Sequence, residues 1–451
     1  MTKKRHAAVG VFRAVSFFFA LVLSVSALAV LPPKAFADEP PVLEKVGSAC
    51  LYNVESDAVL FEFNAEEPVR PTSTVKLMTA IVAFENSPDL GKQVTVTEKM
   101  LESVRGNAIG FAVGETVTVE QALYCLLVNN ANDAAMILAY AVAGSEEAFV
   151  RMMNEKAETL SAWNTKYTNC TGMHSEDSFT TAADTLKIAR CAYSIDRLVG
   201  MTGTGHYVMD ATNFSEARDV YNRNCLVSKY YKDEYYYDGV IGLNAGSTPQ
   251  GGYCAVAAAR DPENTVTYIS VVMNAETDDD NMYNYRGTAA LLDWAFASFG
   301  YREVISKKQV VCEIPVRLSS THDYVTLVPA DSLTVFLPSD VDIENDVTIS
   351  CRTESDFLDA PVKLGQKAGV AMVTYQDRML GTVDLIATSD VSRSELLFFM
   401  ERTKSFIRSP FFIATVVSLV VFTVLYVLIK ARFSQKRLRQ RVPSSRGRRY
   451  R

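Results

Sequence analysis

Histidine, tryptophan and the common metal-binding motifs are scarce or absent in this chain of 451 residues. It has four histidines and two tryptophans, and neither an H-E-x-x-H helix nor a C-x-x-C pair occurs. A zinc hydrolase, a thioredoxin-like oxidoreductase or a His-dependent hydrolase therefore has few or no residues from which to build a site. We find no internal repeat and no low-complexity tract, and we predict neither a metal nor another cofactor.

Acidic residues are missing from both ends of the chain. Residues 1–37 carry five basic side chains, an apolar run over 14–31 and an Ala-Phe-Ala sequence at 35–37. This order is typical of a signal peptide, and an uncleaved anchor is the alternative. Residues 430–451 carry ten basic side chains. Their position beside an apolar segment explains them without a nucleic-acid partner.

That apolar segment, 410–429, has no charged residue. Twenty residues at helical rise match the ~30 Å hydrocarbon core of a bilayer, so we predict a transmembrane helix. The basic tail after it predicts a cytoplasmic C-terminus, and hence a single-pass protein of the cell membrane whose bulk is extracytoplasmic. The outer part, 38–429, has 30 basic and 52 acidic residues, a net charge of −22. Such a charge does not suit a polyanionic partner.

The eight cysteines follow no metal-binding spacing. Export permits disulfides, and Cys312 with Cys351 is the pair that we single out, whereas the other six are interpreted as small buried residues.

The periodicity of apolar residues divides the outer part into two regions. The first is predicted to contain a strand hairpin at 45–63, helices at 74–86, 117–142 (as one or two), 146–161, 180–195 and 289–299, and two or three antiparallel strands at 235–273. The second, at 303–390, alternates in short strands and is predicted to be all-β. An amphipathic juxtamembrane helix at 391–409 joins it to the membrane segment.

Ser73 and Lys76 form an S-x-x-K pattern at the start of the first predicted helix. Residues three apart at a helix start share one face, so the amine can lie over the hydroxyl. A serine hydroxyl becomes a nucleophile when a neighbouring base accepts its proton, and a lysine with a lowered pKa can be that base. An isolated S-x-x-K is most often an ordinary capped helix, so the surrounding sequence has to decide.

The surrounding sequence resembles the low-molecular-weight penicillin-binding proteins, the serine D-alanyl-D-alanine carboxypeptidases. The similarity covers roughly 45–300 and is carried by Pro71-Thr72-Ser73-Thr74-Val75-Lys76-Leu77-Met78, Gly114-Glu115-Thr116, Asn132-Asp133-Ala134-Ala135, Gly144-Ser145-Glu146-Glu147 and Gly246-Ser247-Thr248. It implies an α+β fold of the penicillin-binding and β-lactamase type over 43–300. The β-rich segment and the C-terminal anchor also look like this family's architecture.

The resemblance also implies a chemistry. Ser73 would attack the carbonyl between the two terminal D-alanines of a peptidoglycan stem peptide, with Lys76 as general base, and β-lactams would acylate the same serine. Asn132 would hydrogen-bond the substrate amide. The third motif and the residues after it, Asn244, Ala245, Gly246, Ser247 and Thr248, would bind substrate. The backbone N–H of Ser73 and one from this strand would form the oxyanion hole.

Two of the three motifs depart from the family. The second, S-x-N, is Asn130-Ala131-Asn132, so the proton-relaying serine is replaced by Asn130. The third, K-T-G, is Asn244-Ala245-Gly246, and no lysine occurs between Asp233 and Gly300. We expect these losses to remove partners of the terminal carboxylate and to make Lys76 a poorer base.

Three functions remain open from the sequence. The first is an active carboxypeptidase that the altered motifs slow, and the second is a catalytically inactive homologue that binds wall peptides or a partner protein. A β-lactamase is the third, but no deacylating glutamate motif is assignable. A tyrosine cluster (Tyr230, Tyr231, Tyr235, Tyr236 and Tyr237) is interpreted as packing at a strand edge, with sugar or peptide binding at the cleft rim as the alternative.

Overall fold

The computed structural model describes residues 39–262 and 265–439. The predicted signal peptide at 1–37 and the end of the basic tail, 440–451, lie outside the described residues. The chain divides into two compact units. One reaches to Tyr301 and includes Phe336–Val341, and the other is formed by Arg302–Val335 and the chain from Asp342 onward.

An antiparallel sheet of five strands, in the order β2-β1-β9-β8-β7, is the framework of the first unit. Separate two-stranded sheets pair β3 with β4 and β5 with β6. The strands are β1 (Ser48–Asn53), β2 (Ala58–Phe63), β3 (Gln93–Thr95), β4 (Thr116–Thr118), β5 (His206–Met209), β6 (Arg218–Tyr221), β7 (Val240–Thr248), β8 (Gly252–Arg260) and β9 (Thr267–Ala275). The predicted hairpin is confirmed, and the two or three antiparallel strands predicted at 235–273 are three.

The helices of the first unit include all five predicted helical segments and two short helices, Glu98–Leu101 and Asp196–Thr202, that were not predicted. They are α1 (Val75–Glu85), α2 (Glu98–Leu101), α3 (Val119–Asn129), α4 (Asn132–Ala143), α5 (Glu146–Thr159), α6 (Ala182–Tyr193), α7 (Asp196–Thr202) and α8 (Tyr283–Ser298). The last was predicted to begin at residue 289, six residues too late. Its first turns mix polar residues, two tyrosines and Gly287, and show no helical apolar period.

Helices cover both faces of the five-stranded sheet, which explains why its central strands are apolar on both sides. In β9, Val271 and Met273 belong to a large core cluster with residues of α1, α3 and α4. The alternate residues Tyr268 and Val272 pack instead with Leu291 and its neighbours on α8. Because side chains alternate across a strand, a strand buried on both faces has to be apolar throughout.

The second unit is β-rich, as predicted. A six-stranded sheet has the order β14-β16-β17-β12-β11-β15. The strands after β9 in the chain, of which β10 and β13 belong partly to the first unit, are β10 (Phe299–Ile305), β11 (Cys312–Arg317), β12 (Tyr324–Pro329), β13 (Leu333–Pro338), β14 (Val347–Thr353), β15 (Leu358–Asp359), β16 (Lys367–Tyr375) and β17 (Arg378–Ala387). One short helix, α9 (Ile343–Asp346), precedes β14. A disulfide joins Cys312 to Cys351, the pair singled out from the sequence.

Two helices end the described chain. The amphipathic α10 (Glu395–Arg408) falls within the predicted juxtamembrane segment, and α11 (Pro410–Arg439) follows it. The stretch Pro410–Phe433 is long and apolar enough to cross a membrane, and its side chains are not buried inside the protein.

Candidate active site

Ser73 lies in a strained turn at the N-terminal side of α1. The turn is a 3₁₀ helix, Thr72–Thr74, that continues directly into α1, and neither helix start is capped by a side chain. The hydroxyl of Ser73 is therefore not engaged as a helix cap. Thr72 has φ 49°, a left-handed conformation that is unfavourable for a β-branched residue. Such strain costs on the order of 1–3 kcal/mol and clusters at functional sites.

Gly172 packs against this turn from the opposite wall. It has φ 78°, and a β-carbon on it would collide with the carbonyl oxygen of Thr72. Only glycine combines the left-handed backbone with this close approach. The carbonyl group of the neighbouring Thr171 consequently faces the side chain of Lys76.

Lys76 is buried, with 2% of its surface exposed. Its Nζ donates a hydrogen bond to the Thr171 carbonyl oxygen at 2.5 Å. Desolvation by burial lowers the pKa of Lys76 from 10.5 to about 7. We expected the missing lysine of the third motif to leave Lys76 a poorer base, but burial by itself brings its pKa to neutrality.

The second motif lies at the junction of α3 and α4. Asn130 ends α3 in the left-handed conformation, φ 65°, which asparagine tolerates better than most residues. Its Nδ2 donates to the Ala245 carbonyl oxygen of β7 at 3.0 Å. Asn132 begins α4, and its Nδ2 donates to the Arg105 carbonyl oxygen at 2.6 Å. The buried Oδ1 of Asn132 has no partner among the described residues, so it is free to accept a ligand N–H.

The third motif lies on β7, an edge strand of the sheet. A β-carbon on Gly246 would lie 2.5 Å from Ser73 Oγ and 2.7 Å from Asn130 Nδ2. Asn244 is almost fully buried, and its Nδ2 donates to Asn130 Oδ1 at 3.5 Å. The altered second and third motifs are thus joined by amide contacts where the family has hydroxyl and ammonium groups.

A cavity of about 520 Å³ brings the predicted residues together. Eight of the nine site residues predicted from the sequence line it: Ser73, Lys76, Asn130, Asn132, Ala245, Gly246, Ser247 and Thr248. Asn244 does not line it, because its side chain is buried behind Asn130.

Several lining residues were not predicted from the sequence. They include Asn107, Thr171, Gly172, His174, Arg223 and Lys232, from segments between the motifs, and Asn284 at the start of α8. The polar run Asn222-Arg223-Asn224 before an apolar stretch was a visible signal.

The tyrosine cluster divides between two roles. Tyr235 is buried, and its hydroxyl accepts a hydrogen bond from the Met282 N–H at 2.9 Å, in keeping with a packing role. Tyr237 donates to Asp293 at 2.8 Å. Tyr231 lines the cavity and is 44% exposed. Tyr231 therefore lies where the alternative interpretation placed the cluster, at the cleft, while its ring also packs edge-on against Tyr230.

The loop that contributes Gly106 and Asn107 to the cavity continues to residue 115, and two buried carboxylates fix it. Asp133 accepts hydrogen bonds from the N–H groups of Ile109, Gly110 and Phe111. Glu115 is fully buried and pairs with Arg218 at 2.7 Å. These contacts hold the loop that contributes Asn107 to the cavity.

A serine in a strained turn, a buried amine one helical turn away and an edge strand beside both, within a helix-covered antiparallel sheet, define a penicillin-binding protein fold. The chain belongs to the D-alanyl-D-alanine carboxypeptidase family, which it matches over residues 35–277. Residues 299–393 match the C-terminal domain of penicillin-binding protein 5.

Individual relatives agree with this assignment. The chain is 27% identical to the D-alanyl-D-alanine carboxypeptidase DacF of Bacillus subtilis, over 83% of this chain and 95% of that protein. It is 30% identical to DacC of Escherichia coli over 60% of this chain and 67% of that protein. Among solved structures, penicillin-binding protein 6B from Escherichia coli aligns with a TM-score of 0.58 and 21% identity, covering 78% of this chain and 98% of that one.

Proposed function

We propose that this chain is a serine D-alanyl-D-alanine carboxypeptidase that trims peptidoglycan stem peptides and is acylated by β-lactams at Ser73. The observation that carries the proposal is the buried Lys76, whose pKa of about 7 leaves much of it neutral at physiological pH. A neutral amine in the cavity that Ser73 lines can accept the hydroxyl proton.

The acylation step uses groups that the cavity contains. Ser73 Oγ attacks the carbonyl of the penultimate D-alanine as its proton passes to Lys76. The oxyanion accepts hydrogen bonds from the Ser73 N–H and an N–H of β7, which has a free edge because the sheet ends there. Asn132 Oδ1 accepts the substrate amide N–H.

Release of the terminal D-alanine needs a proton on its nitrogen. The family's relay serine is replaced by Asn130, which has no titratable proton, so protonated Lys76 is the group that returns it. Water then attacks the ester carbonyl and frees Ser73. In this proposal the replaced motifs slow the acylation without removing its nucleophile or base.

Location follows from the two ends of the chain. We propose that α11 anchors the protein in the cell membrane, with the catalytic unit extracytoplasmic and the short basic tail cytoplasmic. The support is one helix long and apolar enough to cross a bilayer, followed by residues without acidic charge.

An inactive homologue that binds wall peptides or a partner protein is the second candidate. The amide contacts Asn130–Ala245 and Asn244–Asn130 favour it, because they replace the groups that recognise a carboxylate and relay a proton. The test is labelled penicillin added to the full-length chain in detergent, with mass spectrometry of the adduct and Ser73→Ala as the control. An adduct on Ser73 supports the enzyme, and its absence at saturating penicillin supports the inactive homologue.

A further inference from the structure

The amine of Lys76 depends on a backbone carbonyl for its hydrogen bond. Of the described residues, Thr171 alone accepts a hydrogen bond from Lys76 Nζ, through its main-chain oxygen. A buried amine with a single acceptor keeps its orientation only as well as that acceptor is held, and small misplacements of a reacting group are costly in rate. The segment 169–172, which carries this carbonyl, therefore contributes to the geometry of the site although it belongs to none of the three motifs.

Cys170, the residue before Thr171, is held from two sides. Its N–H donates to Glu146 Oε1 at 3.2 Å, and its carbonyl oxygen accepts a hydrogen bond from Thr79 Oγ1 at 2.7 Å. The Cys170 thiol donates to the same carboxylate oxygen, with Sγ 3.5 Å away. Glu146 is the first residue of α5, and Thr79 lies on α1 three residues after Lys76. Two helices thus fix the backbone that leads into the Thr171 carbonyl.

The elements that hold this segment are themselves anchored. Phe149 of α5 and Met78 of α1 are fully buried in one core cluster. Within the segment, Asn169 Oδ1 accepts the N–H of Thr171 at 3.2 Å and the N–H of Gly172 at 2.7 Å. The direction of the Thr171 carbonyl is therefore set by contacts on both sides of it.

We infer that Glu146 is a positioning residue for the general base: it holds Cys170 and thereby keeps the Thr171 carbonyl against Lys76. The inference rests on the proposed function, because it takes Lys76 as the base that activates Ser73. Glu146 is not among the described residues that line the Ser73 cavity, so its effect has to pass through the intervening backbone. A carboxylate oxygen suits this task, since it can accept the N–H and the thiol hydrogen together.

The test separates the acylation step from the initial binding of penicillin. Labelled penicillin is added at several concentrations to the full-length chain in detergent, which gives the maximal acylation rate constant and the concentration for half of it. In Glu146→Ala the rate constant should fall about tenfold, the scale of one hydrogen bond to a charged group, while the half-saturating concentration stays close to the parent value. Glu146→Gln keeps an acceptor oxygen and should recover most of the rate.

Two further variants and a second measurement accompany it. Glu147→Ala is the matched control, because Glu147 follows in the same turn of α5 and its carboxylate interacts with the Ser145 hydroxyl; it should react at the parent rate. Thr79→Val removes the other hydrogen bond to Cys170 and should slow acylation as Glu146→Ala does. Hydrogen exchange followed by mass spectrometry reports the backbone without any reaction, and residues 169–172 should exchange faster in Glu146→Ala than in the parent.

Three results would overturn the inference: Glu146→Ala reacting at the parent rate, Glu146→Gln reacting as slowly as Glu146→Ala, or unchanged exchange at 169–172. In each of them the parent chain still forms its adduct, so the proposed function stands. A parent chain that forms no adduct on Ser73 would refute the proposed function itself and the inference with it.

Discussion

The backbone of Gly246 lies directly against the side chain of Ser73. A β-carbon on residue 246 would come within 2.5 Å of both Ser73 Cβ and Oγ. This contact places an edge strand beside the nucleophile, and it explains why glycine persists at a motif whose first two residues have changed.

Gly246→Ala should therefore block acylation while leaving the fold intact. The added methyl has to displace Ser73 or β7, and a shift of about 1 Å in a reacting group can cost ~10²-fold in rate. Penicillin labelling kinetics on the full-length chain measure the effect. Gly300→Ala is the control, because a β-carbon there meets no atom of the described residues within 4 Å. Labelling of Gly246→Ala at the parent rate would show that this contact does not position Ser73 for acylation.

The pH dependence of acylation should report Lys76. Desolvation lowers its pKa to about 7, so the neutral base is lost as pH falls below that value. We expect a half-maximal rate near pH 7 and a decline approaching tenfold per pH unit below it. Labelled penicillin between pH 5.5 and 9 gives the profile. Lys76→Arg, which stays protonated, should be unreactive throughout, and a parent profile without a transition near pH 7 would contradict this account.

Lys76 should also lower the stability of the folded protein, and the pH dependence of this effect has a defined direction. A lysine whose folded pKa is below its unfolded value destabilises the protein fully below about pH 7 and not at all above 10.5. Lys76→Met removes this effect. The Tm of Lys76→Met relative to the parent should therefore increase as pH falls from 10 to 7 and then level off. A relative Tm that is constant over this range would mean that Lys76 is not desolvated.

Much of the site could be predicted from the sequence because its motifs are local. Ser73 and Lys76 are one turn apart in one helix, and Asn130 and Asn132 flank a single helix junction, so short-range patterns locate them. The pKa of Lys76 could not be predicted, because it depends on burial by distant segments such as Cys170–Gly172. Arg223 was missed for a similar reason. Its proximity to Asn130 comes from a tertiary hydrogen bond to Val128 that no spacing in the sequence indicates.

Restoring the third motif should raise acylation. Asn244→Lys with Ala245→Thr returns the cation and the hydroxyl that the family uses. In other enzymes, the loss of one transition-state donor lowers the rate by on the order of 10²-fold. We expect a gain of about 10²-fold in the rate of penicillin labelling. Asn244→Met with Ala245→Thr is the matched variant that adds size without charge, and it should gain much less. If both variants label at the parent rate, the missing groups do not limit this protein.

The buried pair of Glu115 and Arg218 should be important for stability. Burial acts to raise the pKa of Glu115, but hydrogen bonds from Arg218, the Ala112 N–H and Thr212 outweigh it and lower the pKa below 4.5. Arg218→Met leaves the carboxylate buried and unpaired, which costs ~3 kcal/mol or more. The Tm of the catalytic unit should fall by roughly 6–12 °C at pH 7.

An exposed ion pair provides the comparison for this cost in stability. The pH dependence of the cost tests the direction of the Glu115 pKa shift. Arg197 pairs with Glu120 at the surface, so Arg197→Met should cost less than ~1 kcal/mol. The contribution of Glu115 is present above its unfolded pKa and is lost as pH falls through its lower folded value. The gap in Tm between the parent and Arg218→Met, followed by calorimetry, should therefore be wide at pH 7 and narrow in acid. Equal costs for the two arginine variants would show that Glu115 is solvated in the native protein.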